Sequence, residues 1–194
     1  MVAPCPRADL AQLNQAVAAA KAAFPAWAAT PWEERSRLLV KLADALIADM
    51  GEIAPLLTQE QGKPLPGAQY EIGGASAIVR AFAAMKIPEQ VLKDDAEVRI
   101  LRQRLPLGVV AAITPWNFPV IMAVTKLSPA LLTGNTVVLK PPATTPLSTL
   151  RLAELAAKIF PPGVLNVIAD ENDLGDALTG HPDVAKIAFT GSTA

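Results

Sequence analysis

Apolar side chains recur at steps of three and four through the first half of the chain. Leu10, Leu13, Val17, Ala20, Phe24 and Trp27 fall on one stripe, which predicts an amphipathic helix over about 8–27. Thr30-Pro31-Trp32-Glu33 then has the form of a helix start, with Thr30 as cap, Pro31 in the first turn and Glu33 completing a capping box. This second helix is expected to reach about Met50, with Gly51 ending it. A third, over 52–61, stops at Gly62-Lys63-Pro64, and a fourth runs over 67–85 after Pro66. The stripe residues Leu38, Leu39, Leu42, Leu46 and Phe82 are better explained by core packing than by a ligand groove. Helices of this kind form a layer whose apolar faces need a partner surface.

From Ala96 to Arg104 the period drops to two, with Val98 and Ile100 between polar neighbours, so an exposed strand is expected. The run Gly108 to Ile113 is different: uncharged, rich in Val, Ile and Ala, and bounded by Pro106 before and Thr114-Pro115 after, as a strand covered on both faces should be. Candidate strands end near Ile113, Lys140, Ile168 and Thr190, at intervals of 27, 28 and 22 residues. Each interval holds one helical pattern, over about 120–132, 146–159 and 173–179, and a strand–helix–strand unit needs roughly 30 residues. The fold class is therefore α/β, a parallel doubly wound sheet of Rossmann type preceded by an amino-terminal helical layer. Thr133-Gly134-Asn135 reads as a helix stop. Pro115 and Pro119 keep strand and helix out of the loop after Ile113. Ligands bind where such loops leave a buried parallel strand, which makes Asn117, between Trp116 and Phe118, a candidate for facing a substrate.

A net charge of −1, a hydrophobic fraction of 52% and few aromatics give no electrostatic reason to bind nucleic acid or a membrane surface. The 21 uncharged residues from Leu105 to Thr125 have the length of a membrane span, but three prolines and Asn117 interrupt them. The amino terminus lacks the basic start and apolar run of an export signal, so a cytoplasmic location is expected. A single cysteine, Cys5, and a single histidine, His181, exclude an internal disulfide and a zinc site of Cys/His type, and no metal is expected. His181 lies in a His-Pro-Asp turn and reads as a surface residue. Gly62-Lys63 resembles the end of a phosphate-binding P-loop, but the earlier glycine and the following Ser or Thr are absent. No G-x-G-x-x-G is present either, so spacing alone supports an α/β domain and no particular cofactor.

Four ordered motifs carry a resemblance: T-P-W-N-F-P from Thr114, L-L-T-G-N-T-V-V-L-K-P from Leu131, P-P-G-V-L-N-V from Pro161 and F-T-G-S-T from Phe189. Together they resemble the aldehyde dehydrogenase superfamily, from about the first helix to the last residue. The resemblance implies NAD or NADP on a Rossmann-like sheet that lacks the glycine fingerprint, and oxidation of a small-molecule aldehyde to a carboxylic acid. It implies Asn117 as oxyanion-hole donor and Lys126 near the active site with a part in proton relay. It also implies a cofactor floor of Ile113, Thr114, Pro115, Trp116, Phe189, Thr190 and Gly191, with Lys140 on the adenosine ribose hydroxyls and Ser192 on the pyrophosphate.

Two positions depart from the family pattern. Ala143 stands where the family often reads K-P-x-E, which admits a 2′-phosphate and removes a partner for the ribose. Ala169-Asp170-Glu171 replaces a place where glycine is common, and two carboxylates there would repel a pyrophosphate unless they point away. The family's nucleophilic cysteine and general-base glutamate lie beyond the point corresponding to Ala194. The chain thus reads as the amino-terminal, cofactor-binding portion of an aldehyde dehydrogenase, inactive in isolation, in three parts: 1–95 helical, 96–107 an oligomerisation-type strand, and 108–194 dinucleotide-binding. Homo-oligomerisation or association with the missing catalytic half is expected. The alternative is a natural short, non-catalytic binding or assembly module on the same fold.

Overall fold

A computed structural model describes residues 3–192. Helix α1 (Leu10–Ala29) opens on Asp9, whose carboxylate accepts from the Gln12 amide at 2.8 Å while the Gln12 side chain accepts from the Asp9 amide at 3.0 Å. This reciprocal box satisfies two of the free amides of the first turn. Helix α2 (Trp32–Ala48) does not start as the pattern predicts. Thr30 turns back to α1, its hydroxyl donating to the Ala26 carbonyl at 3.0 Å, and α2 begins after Pro31 with no side-chain cap. Pro31 holds Thr30 in extended backbone and so ends α1 there. Nor does Gly51 end α2. Asp49 alone separates α2 from α3 (Met50–Gln61), and Gly51 lies inside the first turn of α3. Helix α4 (Leu65–Ala83) carries Pro66 in its first turn.

The exposed strand expected over 96–104 is one half of an antiparallel hairpin, β1 (Gln90–Asp94) with β2 (Arg99–Arg102). The first strand escapes the alternation test because a bulge between Val91 and Lys93 breaks its period and both faces are exposed. The hairpin therefore begins inside the segment assigned above to the helical part.

Strands β3 (Val109–Ile113), β4 (Thr136–Lys140), β5 (Leu165–Val167) and β6 (Val184–Phe189) form one parallel sheet in the order β5-β4-β3-β6. Helices α5 (Pro119–Leu132), α6 (Leu147–Ala157) and α7 (Gly175–Thr179) connect them. Pleating sorts the side chains: Val110, Ala112, Val137 and Leu139 pack into a core with α2 to α6, whereas Val109, Ala111 and Val138 pack with Leu13 and Val17 of α1 and Leu178 of α7. The expected single helical layer is thus divided, with α1 covering the opposite face of the sheet from α2, α3 and α4. The Thr136 hydroxyl, donating to the Ala20 carbonyl at 2.9 Å, fastens α1 to β4. Among the described residues no helix is long and apolar enough to cross a membrane.

The layers are joined where three helix ends meet. Buried Arg35 of α2 donates to the carbonyls of Leu132 at 2.8 Å and Ala28 at 3.2 Å, and also to Trp27 and Thr30. Its guanidinium thus caps the ends of α1 and α5, and burial holds its pKa below the ordinary arginine value. Helix α5 ends in the Gly/Asn stop that was expected: Gly134 has φ +87°, the Asn135 amide donates to Ala130 O at 2.9 Å and the Gly134 amide to Leu131 O at 3.0 Å. A side chain at Gly134 would meet the Arg35 guanidinium at 3.4 Å and be strained by the backbone as well. The Asn135 carboxamide oxygen then accepts from the amides of Leu107 at 2.6 Å and Gly108 at 3.1 Å, setting the entry to β3.

Arg35→Met removes the donors from these carbonyls while filling much of the same space. It should lower unfolding free energy by about 3 kcal/mol, the cost of stranding buried acceptors. Urea unfolding checks this: a lower midpoint at constant slope is expected, and a loss under about 0.5 kcal/mol would mean that water reaches the carbonyls.

Candidate active site

Strand order reverses at β3: β4 lies on one side and β6, the last strand in sequence, on the other. The loops leaving β3 and β6 therefore diverge at the carboxyl edge of the sheet, the place where doubly wound folds hold ligands. A cavity of about 680 Å³ opens there, within the usual range for small-molecule sites. Ile113, Thr114, Pro115, Trp116 and Asn117 line it from β3, Lys140 and Pro142 from β4, and Phe189, Thr190, Gly191 and Ser192 from β6. The structure thus brings together in one cavity every residue expected of the cofactor floor and the proposed oxyanion donor. Thr193, the last residue of the fourth motif, lies outside the described residues. Asn172 of the β5–α7 connection and Gly175, Asp176 and Thr179 of α7 complete the wall without any warning in the sequence.

Lys126 is the exception among the expected site residues. It projects from α5 and stays out of the cavity wall, but its ammonium donates to the Thr190 hydroxyl at 2.6 Å. Burial pushes its pKa below the ordinary lysine value. It touches the site through Thr190.

Asn117 is exposed at the cavity mouth, and among the described residues its side-chain amide makes no hydrogen bond. Its loop is closed by α5, and the start of that helix is occupied. Glu71 of α4, with no exposed surface, accepts from the amides of Val120 at 3.0 Å and Ile121 at 3.3 Å. In fingerprint-bearing Rossmann domains a phosphate sits at the corresponding helix end. Here the Glu71 carboxylate fills it. Glu71 could have been noticed in the sequence as a charge on the buried stripe Ala68, Ile72, Ala75.

The two carboxylates after β5 are both compensated. Asp170, whose side chain is fully buried, pairs with Lys140 at 2.7 Å and accepts from the Leu174 amide at 2.9 Å, while Glu171 turns outward to Arg7 at 3.0 Å. The repulsion expected of them is relieved by these partners. Lys140, expected to face a ribose, is engaged below by Asp170, and an ammonium has donors to spare for a second partner. His181 is the turn residue that was expected, its Nδ1 accepting from the Asp183 amide at 3.1 Å.

The chain is 46% identical over 201 residues to phenylacetaldehyde dehydrogenase of Pseudomonas fluorescens, covering 97% of this chain and 40% of that one. PnpE of Pseudomonas sp. WBC-3, solved in complex with nicotinamide adenine dinucleotide, superposes with a TM-score of 0.92 at 46% identity, over 96% of this chain and 39% of its own. An NADP-dependent enzyme of E. coli superposes with a TM-score of 0.92 at 40% identity, over 97% and 40% of the two chains. The chain spans about 40% of the length of such relatives. The model of the aldehyde dehydrogenase family matches residues 1–194, and the chain belongs to that family.

Proposed function

We propose that this chain is the cofactor-binding and carbonyl-polarising portion of an NAD(P)-dependent aldehyde dehydrogenase. The observation that carries the reading is that the unspent Asn117 amide opens into the same cavity as Lys140 and the Thr190-Gly191-Ser192 turn. The residues present suit a dinucleotide. The cavity has the volume, Lys140 lies at its floor with its charge steadied by Asp170, and Gly191 leaves its space to the Phe189 ring, which a Cβ would meet at 2.5 Å. Ile113 to Trp116 and Phe189 to Ser192 would hold the cofactor, with Ser192 on the pyrophosphate and Lys140 on the ribose. NAD and NADP are both admitted, since Ala143 presents no carboxylate to a 2′-phosphate. When bound, the cofactor supplies the hydride acceptor.

The chain's own residues act on charge and protons. Asn117 donates to the carbonyl oxygen as a nucleophile adds and negative charge gathers there; such a donor contributes about 3 kcal/mol in comparable sites. Lys126, made easier to deprotonate by burial, passes a proton by way of Thr190. The nucleophile has to come from elsewhere. Cys5 does not line the cavity, and partial burial together with the Glu60 carboxylate pushes its thiol above the ordinary value, the wrong direction for a thiolate. The isolated chain is therefore inactive, and the thiolate and general base belong to the remainder of the enzyme. The exposed apolar residues of the hairpin, Val91, Leu92, Ile100 and Leu101, suit it to subunit assembly.

In the full-length enzyme, Asn117→Ala should lower kcat roughly 100-fold while KM for the aldehyde changes little, because the donor acts on the transition state. Steady-state kinetics check this; equal changes in kcat and KM would return Asn117 to a structural role. The proton relay has its own signature. A depressed lysine pKa leaves more neutral amine at a given pH, so kcat should rise with pH along a limb that Lys126→Met abolishes, and an unchanged pH profile would remove Lys126 from the mechanism.

A further inference from the structure

Gly62-Lys63-Pro64 and Glu71 stand outside every motif used so far, yet the side chains of Lys63 and Glu71 converge on one turn. Gly62, at φ +88°, ends α3 and directs the chain so that Lys63 points inward. The Lys63 ammonium bonds the Glu71 carboxylate, donates to the main-chain carbonyl of Asn117 at 3.1 Å, and sits 4.2 Å from the centre of the Phe118 ring. The two side chains are 12% and 0% exposed. On its other oxygen Glu71 accepts from the amides of Val120 and Ile121.

The pair therefore grips the loop on both sides of one bend: the carbonyl of 117, the ring of 118 and the amides of 120 and 121. It leaves the Asn117 side chain untouched. A pair placed only to join α4 to α5 would need no bond to the Asn117 carbonyl, and a helix cap alone would need no lysine. Prolines 115 and 119 limit the loop's backbone but supply no hydrogen bond that fixes the peptide plane at 117. Lys63 supplies it, with the Gln61 carboxamide donating to the same oxygen at 3.4 Å.

We propose that Lys63 and Glu71 are positioning residues that aim the Asn117 amide. The proposal rests on Asn117 being the oxyanion donor. The pair touches neither aldehyde nor cofactor; it acts through the orientation of one peptide unit.

The test uses the full-length enzyme. Lys63→Met alone strands a buried carboxylate and is a poor probe, because folding itself would suffer. Lys63→Met/Glu71→Gln removes both charges and keeps an acceptor for the α5 amides. In that double variant kcat should fall about tenfold or more through misplacement of the donor, with KM and cofactor Kd within about twofold. In an Asn117→Ala background the same two substitutions should cost less than about twofold, since a residue that works through Asn117 has nothing left to aim. A crystal structure of the double variant should show the Asn117 side chain displaced or in more than one conformer.

An equal loss of kcat in both backgrounds overturns the proposal, as does an unmoved Asn117. Should Asn117→Ala by itself leave kcat intact, the oxyanion reading fails and this inference with it. Failure of the pair alone is recognised by a large Asn117 effect beside a silent double variant.

Discussion

Helix α5 is clamped at both ends by buried charges that belong to other helices. Glu71 holds its first free amides and Arg35 its last carbonyl, that of Leu132. A helix presents partial positive charge at its start and partial negative charge at its end, so a buried carboxylate and a buried guanidinium find in those termini the complementary groups that water would otherwise supply. The arrangement repeats at α6, where Glu60 accepts from the amides of Leu147 at 2.6 Å and Ser148 at 2.9 Å. Burial raises the pKa of Glu60, and the bonds from Ser148 and Leu147 pull it the other way. The helical layer is therefore more than an apolar cover. It fixes the axial position of the helices that hang from β3 and β4, and with them the loops at the carboxyl edge of the sheet.

One consequence concerns where a phosphate can sit. With the α5 terminus taken by Glu71, the strand–helix turn after β3 has no use for close backbone approach to a pyrophosphate, and a glycine fingerprint there would serve nothing. The turn is instead free to carry Trp116, Asn117 and Phe118 between two prolines, a composition suited to a rigid polar donor. Under the proposed function the anion-binding role passes to Thr190-Gly191-Ser192 after the neighbouring strand, while the loop after β3 polarises the carbonyl and shares the cofactor floor.

Much of this was legible in the chain. The four parallel strands, expected to end near Ile113, Lys140, Ile168 and Thr190, end at Ile113, Lys140, Val167 and Phe189. Strands β3 and β4 have this clarity because they are buried and both faces must be apolar, whereas β5 is half-buried and β6 largely exposed. What resisted was everything set by pairings distant in sequence. Thr30 looks like a cap until Pro31 and the guanidinium of Arg35 are seen to claim it for α1. The crossing of α1 to the far face depends on which side of the sheet lies open, which no stripe on α1 records. Glu71 is one charged residue in α4, and its meaning lies 49 residues away at Val120.

The same reasoning explains why the departures at Ala143 and Asp170 coexist. A carboxylate after β4 would lie near Lys140 and, under the proposed function, near the ribose. The chain places a carboxylate at Asp170 instead, at the end of the adjoining strand, where it is fully buried, bonded to the Leu174 amide and paired with Lys140 from below. Lys140 closes a strand whose residues are all buried, and an ammonium there without a counter-ion would be expensive. Asp170 removes that expense from a direction that leaves the cavity side clear, so the lysine can be held in place without a carboxylate competing for the ligand's own space. What looks in the sequence like a charge opposed to cofactor binding is, in the fold, the support of the lysine proposed to bind it.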